Sequence, residues 1–448
     1  MEDIIREAYR ACEEFRSGLE DQPVVGSVSA DTIREHLQRA YSLDEPWAPD
    51  ELIRDVAEML GSWAVHVPHP RYFGYFNPTP LPAAIAGDLL AAVFNPQLAV
   101  WSHAPAAVEI EQHVLRWLTG KLGLPLEESA AHFTSGGSEA NSTAVLAALT
   151  AKVPEYGRRG LAGVGLRPAL YHSAGAHDSF TKICHMAGLG RDALRVIEVD
   201  DGFRMDSSAL RERLLADREA GETPIMVVAT AGTTAAGVID PLPEIASVCR
   251  EQDVWFHVDA AWGGAAALDP GLRDCLEGIE QADSVTWDAH KWLNVTMGAG
   301  MFFCRHARVV EEAFRVTTDY MPSLTAGVVD PYVTSMQWSR RFIGLKLFMT
   351  LAPLGESAYA EMIEAQATMG SYLRERLEDG GWIHVTKTPL PVSCVTHRRI
   401  EEGSISADEV LDRVLATGKA WISTVRLGAR TALRACITSY QTKEADVN

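Results

Sequence analysis

No two cysteines in this chain stand at the Cys-x-x-Cys spacing of a redox or zinc motif. The seven that occur (Cys12, Cys184, Cys249, Cys275, Cys304, Cys394 and Cys436) are odd in number and scattered. A disulfide framework is not expected, and the pattern points to reduced thiols in a cytoplasm-like compartment. Basic residues are scarce: 40 Lys plus Arg against 60 Asp plus Glu leave a formal charge of −20, which repels phosphate backbones and anionic lipid alike. Nucleic acid and membrane surfaces are therefore not expected partners. There is no uninterrupted apolar run of membrane length. The nearest, residues 80–101, is broken by Asp88, Asn95, Pro96 and Gln97 and reads as a buried or interface helix. Residues 1–20 lack an apolar stretch flanked by basic residues, so no signal peptide is expected. Missing too are the Gly-Lys-Ser/Thr of a nucleotide-binding loop and any acidic or thiol partner at ligand spacing from His66 and His69, so no metal site is expected.

What the chain does have is length and apolar content: 448 residues, 47% of them hydrophobic, enough for a large core divided among more than one domain. Ile4, Ile5, Ala8, Cys12, Phe15 and Leu19 mark one face of a first helix. After a break at 23–29, Asp31 or Ser29 can cap a second helix, and Pro49-Asp50 opens a third that ends near Gly61. This amphipathic arm packs either on its own subunit or on a partner. Residues 66–82 then hold five prolines and four aromatics, a loop stiff enough to line a pocket.

From 131 to 305 short β-prone runs (131–134, 169–172, 195–199, 225–230, 254–258, 284–287 and 301–304) alternate with helix-like segments such as 139–152, 179–187, 207–216 and 242–251. This alternation predicts a mainly parallel sheet covered on both faces. Ligands of such sheets bind at the carboxyl ends of the strands. There the sequence sets Gly136-Gly137-Ser138 before a helix, then His177, then Gly232-Thr233-Thr234, then Asp259, and finally His290-Lys291. A glycine turn before a helix offers backbone N–H groups to an anion. A carboxylate on an otherwise apolar strand needs a cation. Together with a lysine these are the requirements of pyridoxal 5′-phosphate: a phosphate cradle, a ring support, a partner for the pyridinium nitrogen and an amine for the Schiff base.

The stretches His69-Pro70-Arg71-Tyr72-Phe73-Gly74-Tyr75, Ser135-Gly136-Gly137-Ser138-Glu139-Ala140-Asn141, Gly232-Thr233-Thr234, His257-Val258-Asp259-Ala260-Ala261 and His290-Lys291-Trp292 resemble the group II pyridoxal-phosphate-dependent amino-acid decarboxylases. That family includes the aromatic-L-amino-acid, glutamate and diaminobutyrate enzymes. The resemblance implies an α/β fold of type I: an N-terminal helical arm (1–61) making a dimer contact, a large cofactor-binding domain (62–315), and a mobile loop with a smaller C-terminal α+β domain (316–448). It implies a homodimer with shared active sites. Lys291 then falls on the Schiff-base lysine, Asp259 on the pyridinium partner and His177 on the residue stacked over the ring. Gly137, Ser138 and His290 fall on phosphate-binding positions, and Thr234 lies near the ring. Residues 318–336 match a loop that closes over substrate, with Tyr332 near its catalytic tyrosine once a one-residue gap is allowed before Ser339-Arg340-Arg341. Relatives continue past a late strand at 432–440, so Asn448 reads as a truncation or the end of the ordered chain.

Two departures stand out. Ser138 replaces the usual threonine, and Asp288 stands where many members have asparagine. Asp288 is expected to turn away from the phosphate or to bond through water. The implied reaction is decarboxylation of an L-amino acid, with Tyr332 returning a proton to Cα. Where plant relatives carry phenylalanine instead, oxidative aldehyde formation accompanies it. An aromatic substrate (tryptophan, tyrosine, dopa or phenylalanine) is favoured over glutamate or 2,4-diaminobutyrate. The stretch 72–79, which supplies Tyr75, Phe76 and Thr79 as substrate contacts, is aromatic, with only Arg71 adjacent. Ala99 is the fourth expected contact and leaves room where animal aromatic decarboxylases carry phenylalanine. The alternatives are another fold-type I enzyme, such as an aminotransferase or desulfurase, and a non-catalytic relative.

Overall fold

The computed structural model describes residues 2–26, 28–316 and 327–448. Seven strands, β1 (Ala130–Thr134), β2 (Pro168–Ser173), β3 (Leu194–Ile197), β4 (Thr223–Thr230), β5 (Trp255–Asp259), β6 (Ser284–Asp288) and β7 (Gly300–Cys304), form one sheet in the order β1-β7-β6-β5-β4-β2-β3. Strands β2, β5, β6 and β7 are buried along their whole length, as a sheet covered by helices on both faces requires. The pairs from β6 to β3 are parallel. Strand β7 is antiparallel to both β6 and β1. That exception was not readable from the alternation, because β6 and β7 are joined by the short segment 289–299 rather than by a crossover helix.

Before the sheet lie α1 (Glu2–Gly18), α2 (Ala30–Ala40), α3 (Pro49–Ser62), α4 (Pro82–Phe94) and α5 (Pro105–Lys121), and α6 (Gly137–Lys152) follows β1. Ser29 caps α2 by accepting from Thr32 N. The ring nitrogens of His66 lie 2.8 Å from Pro23 O and 2.7 Å from Gly61 O, so this histidine ties the arm to the proline-rich loop. Helix α4 turns its small residues Ala84, Gly87 and Ala91 inward, where a Cβ on Gly87 would lie 2.8 Å from Lys346 Cα.

The C-terminal unit is built on helix Leu345–Asp379, which breaks at Gly355 (φ +68°), and on an antiparallel sheet of β8 (Ile383–His384), β9 (Val392–Thr396), β10 (Ser423–Leu427) and β11 (Arg430–Cys436) in the order β10-β11-β9-β8. The late strand expected at 432–440 starts at Arg430 and stops at Cys436. Residues 71–74 of the proline-rich loop bond into this unit: Phe73 N donates to Trp421 O at 2.8 Å and Cys436 N to Phe73 O at 2.7 Å. Residues of the expected large domain (62–315) thus bond directly to residues of the expected small one (316–448).

Candidate active site

The carboxyl ends of β1, β4, β5 and β6 and the turn after β2 converge on a cleft of about 350 Å³. Gly137, Ser138, His177, Thr234, Asp259, His290 and Lys291 all line it. Seven residues picked from separate strand ends thus share one cavity.

On one side lies the start of α6, where the N–H groups of Gly137 and Ser138 have no carbonyl one turn back and carry the positive end of the helix dipole. Glycine at 137 keeps this entrance open, since a Cβ there would lie 2.9 Å from Asp288 Oδ2 and 3.5 Å from Ala261 Cβ. Glu139 braces the turn: its Oε2 accepts from Ser135 N at 2.9 Å and Ser135 Oγ at 2.7 Å, and its carboxylate also accepts from Gln337 Nε2 at 2.7 and 2.8 Å. His290 Nδ1 accepts from Ala299 N at 3.2 Å, which leaves the ring proton on Nε2. Burial pushes this imidazole below its ordinary range, against the pull of Asp288.

Asp288 corrects an expectation. It does not turn away: Oδ2 lies 3.1 Å from Lys291 Nζ and 3.8 Å from His290 Nε2. Its other oxygen, Oδ1, is buried with no hydrogen-bond partner among the described residues. The cause is geometric, because the turn leaving β6 brings residues 288 and 291 onto one side.

Asp259, 4% exposed, ends β5. Its Oδ2 accepts from Asn141 Nδ2 at 2.9 Å and its Oδ1 from Ala261 N at 3.1 Å. Both partners are neutral, so the cation expected opposite this carboxylate is not supplied by these two contacts. His177 accepts from Ser179 N at 3.1 Å through Nδ1 and so also anchors the start of helix Ser179–Met186. Gly232, at φ +95°, makes the turn that lets its carbonyl accept from Trp262 Nε1 at 2.7 Å, beside Thr234.

Five expected residues are not among those lining the cleft. Tyr75 is half exposed and leans on Trp421, ring centres 5.0 Å apart. Phe76 stands one layer back, stacked at 4.2 Å on Trp262, which does line the cleft. Thr79 spends its hydroxyl on Pro68 O at 2.5 Å. Ala99 and Tyr332 lie together elsewhere: Tyr332 N donates to Ala99 O at 3.1 Å, and the phenol ring packs in a small cluster with Val100, Val333 and Trp338. Of the expected loop, residues 318–326 lie outside the described residues.

Sequence reasoning missed Asn141 and Trp262 as lining residues. Asn141 was legible, being one helical turn after Gly137 in the same motif. It also missed Arg434, which is buried with its guanidinium 4.6 Å over the Phe76 ring. Arg71 is therefore not the only cation beside the aromatic loop.

These residues fit pyridoxal 5′-phosphate. A helix entrance that a methyl group would fill suits the phosphate, the buried carboxylate with neutral partners suits a ring N–H⁺, and the amine of Lys291 reaches the same cavity.

Comparison with known proteins agrees. Residues 33–395 match the family model for the pyridoxal-dependent decarboxylase conserved domain. The chain is 27% identical over 464 residues to tryptophan decarboxylase 2 of Oryza sativa subsp. japonica, covering 100% of this chain and 91% of that one. It is 30% identical over 379 residues to tyrosine/DOPA decarboxylase 2 of Papaver somniferum, covering 82% and 69%. A crystal structure of Oryza sativa TDC with PLP and tryptamine superposes with a TM-score of 0.93 at 28% identity, covering 100% of this chain and 95% of that one.

Proposed function

The chain belongs to the pyridoxal-dependent decarboxylase family, and from that premise we propose that it removes the carboxylate of an aromatic L-amino acid, yielding the amine and carbon dioxide. The observation that carries this reading is the meeting of Lys291, Asp259 and the Gly137 entrance in one cleft, in a chain similar along its length to decarboxylases of tryptophan and tyrosine.

When bound, pyridoxal 5′-phosphate supplies an electron sink for the bond that breaks at Cα. The chain's own residues do the rest. Gly137, Ser138 and His290 would hold the phosphate, and His177 and Thr234, which line the same cleft, would support the ring. Lys291 holds the cofactor through its amine. Asp259 keeps a proton at the ring nitrogen, where a fixed carboxylate stabilises positive charge in a water-poor site. Tyr332 delivers a proton to Cα.

Tyr332 and Ala99 stand away from this chain's own cleft, which a homodimer with shared active sites explains: both serve the cleft of the partner subunit. The exposed apolar side of α4 supports such a dimer. The seven free cysteines support a reducing, cytoplasmic location, and among the described residues no helix is long and apolar enough to cross a membrane.

A second reading, an acidic substrate, has one observation in its favour. Arg434 is a buried cation whose Nε and Nη2 lack hydrogen-bond partners among the described residues. Against it, Nη1 is held by Gly74 O at 2.6 Å, and Arg434 does not line the cleft. Turnover of tryptophan, tyrosine, dopa, phenylalanine, glutamate and 2,4-diaminobutyrate by the purified enzyme separates the two. An aromatic preference is expected, and a preference for either non-aromatic substrate overturns the proposal.

A further inference from the structure

Behind Asp259 lies a run of buried polar side chains that the proposed mechanism does not use. Asn141 faces the carboxylate with one end of its amide and His257 with the other. A carboxylate only accepts, so the end 2.9 Å from Asp259 Oδ2 is the NH₂ group. The amide oxygen therefore points away, 2.7 Å from Thr286 Oγ1 and 3.2 Å from His257 Nε2, and both must donate to it. Burial pushes His257 down to about 4, so the ring is neutral and its Nδ1 carries no hydrogen. Nδ1 lies 2.8 Å from Ser284 Oγ, which donates its hydrogen there and accepts from Trp255 Nε1 at 2.9 Å. Every proton in the chain from indole to carboxylate has one place to be.

We propose that Asn141 is the positioning residue of Asp259, and that His257, Ser284 and Thr286 act through it by fixing which end of the amide faces the carboxylate. With the amide reversed, two acceptors would oppose each other and Asp259 would need a proton of its own to stay in place. Held as observed, the Asn141 NH₂ group and Ala261 N each donate to one oxygen of Asp259, and the carboxylate stays aimed into the cleft. This rests on the reading of Asp259 as partner of the ring nitrogen. The other ionisable groups sharing the cleft are Glu139, His177, Asp288, His290 and Lys291, and the variants below leave them in place.

The test uses pyridoxine 5′-phosphate, which has no aldehyde to react with Lys291, titrated against cofactor-free protein by fluorescence from about pH 6 to pH 9. Asn141→Ala is expected to weaken binding about 10- to 100-fold, the weight of a hydrogen bond to a charged group. The loss should grow toward high pH, where the ring nitrogen is neutral in solution, while affinity for inorganic phosphate is unchanged. Ser284→Ala is expected to move in the same direction by less, and it carries the test if Asn141→Ala does not fold. A loss equal at every pH, or shared by inorganic phosphate, means packing alone and overturns the proposal. Asp259→Asn is the control. If it too leaves the pH dependence as in the parent, the reading of Asp259 fails; if it alone abolishes the dependence, only the role of Asn141 fails.

Discussion

At Lys291 the closest charge is that of Asp288, which holds the amine with one carboxylate oxygen and leaves the other buried and unpartnered. A carboxylate beside the entrance of α6 opposes any phosphate bound there, and like charges a few ångströms apart near a protein surface cost about 1–4 kcal/mol. Asp288→Asn keeps the shape and removes the charge. It is expected to tighten pyridoxal 5′-phosphate binding about tenfold or more and to leave unphosphorylated pyridoxal unchanged, as measured by equilibrium titration of the cofactor-free enzyme. Equal effects on both ligands would show that Asp288 acts on the amine and not on the phosphate. For Tyr332→Phe the expected loss is about 10²–10⁴-fold in amine formation, the usual weight of a positioned proton donor, with cofactor affinity retained. Residue types at strand ends were legible because buried charge and helix-opening glycine are rare for physical reasons. The partner of Asp288 was not, since it depends on how the turn 288–291 folds back.

The elements that aim these residues came through the sequence almost intact. Strands buried on both faces are rich in apolar residues, and the ends of all seven were placed within two residues. What escaped was orientation. The antiparallel run of β7 is set by the length and path of 289–299, and with it comes a close approach that only glycine permits. Gly300 pairs with Thr134 across β1 and β7, and a Cβ there would lie 2.4 Å from Thr134 Oγ1 and 2.6 Å from the backbone of Gly136. Backbone cannot move aside as a flexible side chain can. Gly300→Ala is expected to cost about 1–3 kcal/mol, the usual penalty for overpacking a core. It should also weaken phosphate-dependent cofactor binding, because the displaced atoms belong to the Gly136-Gly137 turn. Chemical denaturation of the cofactor-free protein measures the first effect and cofactor titration the second. A stability loss with no change in binding would separate the strand pair from the cradle.

For the molecule as a whole, α4 carries the argument. Its small residues are buried, while Ile85, Leu89, Leu90, Val93 and Phe94 remain exposed. A lone surface helix hides its larger apolar side chains, and burying each is worth about 1.5–3 kcal/mol, so this face calls for a cover. Tyr332 and Ala99 lie off the chain's own cleft, and a two-fold-related copy accounts for both facts at once. Leu89→Glu with Phe94→Glu is accordingly expected to give a monomer in analytical ultracentrifugation. A sharper consequence follows from sharing. A Lys291→Ala protomer still carries Tyr332, and a Tyr332→Phe protomer still carries Lys291. Unfolded together and refolded in equal amounts, they should form mixed dimers in which one cleft has both groups. Random pairing in a two-fold dimer then restores about a quarter of the parent activity, from two proteins nearly inactive alone. If Tyr332 instead served the cleft of its own chain, no mixed dimer would hold a complete site, and the refolded mixture would be no more active than its components.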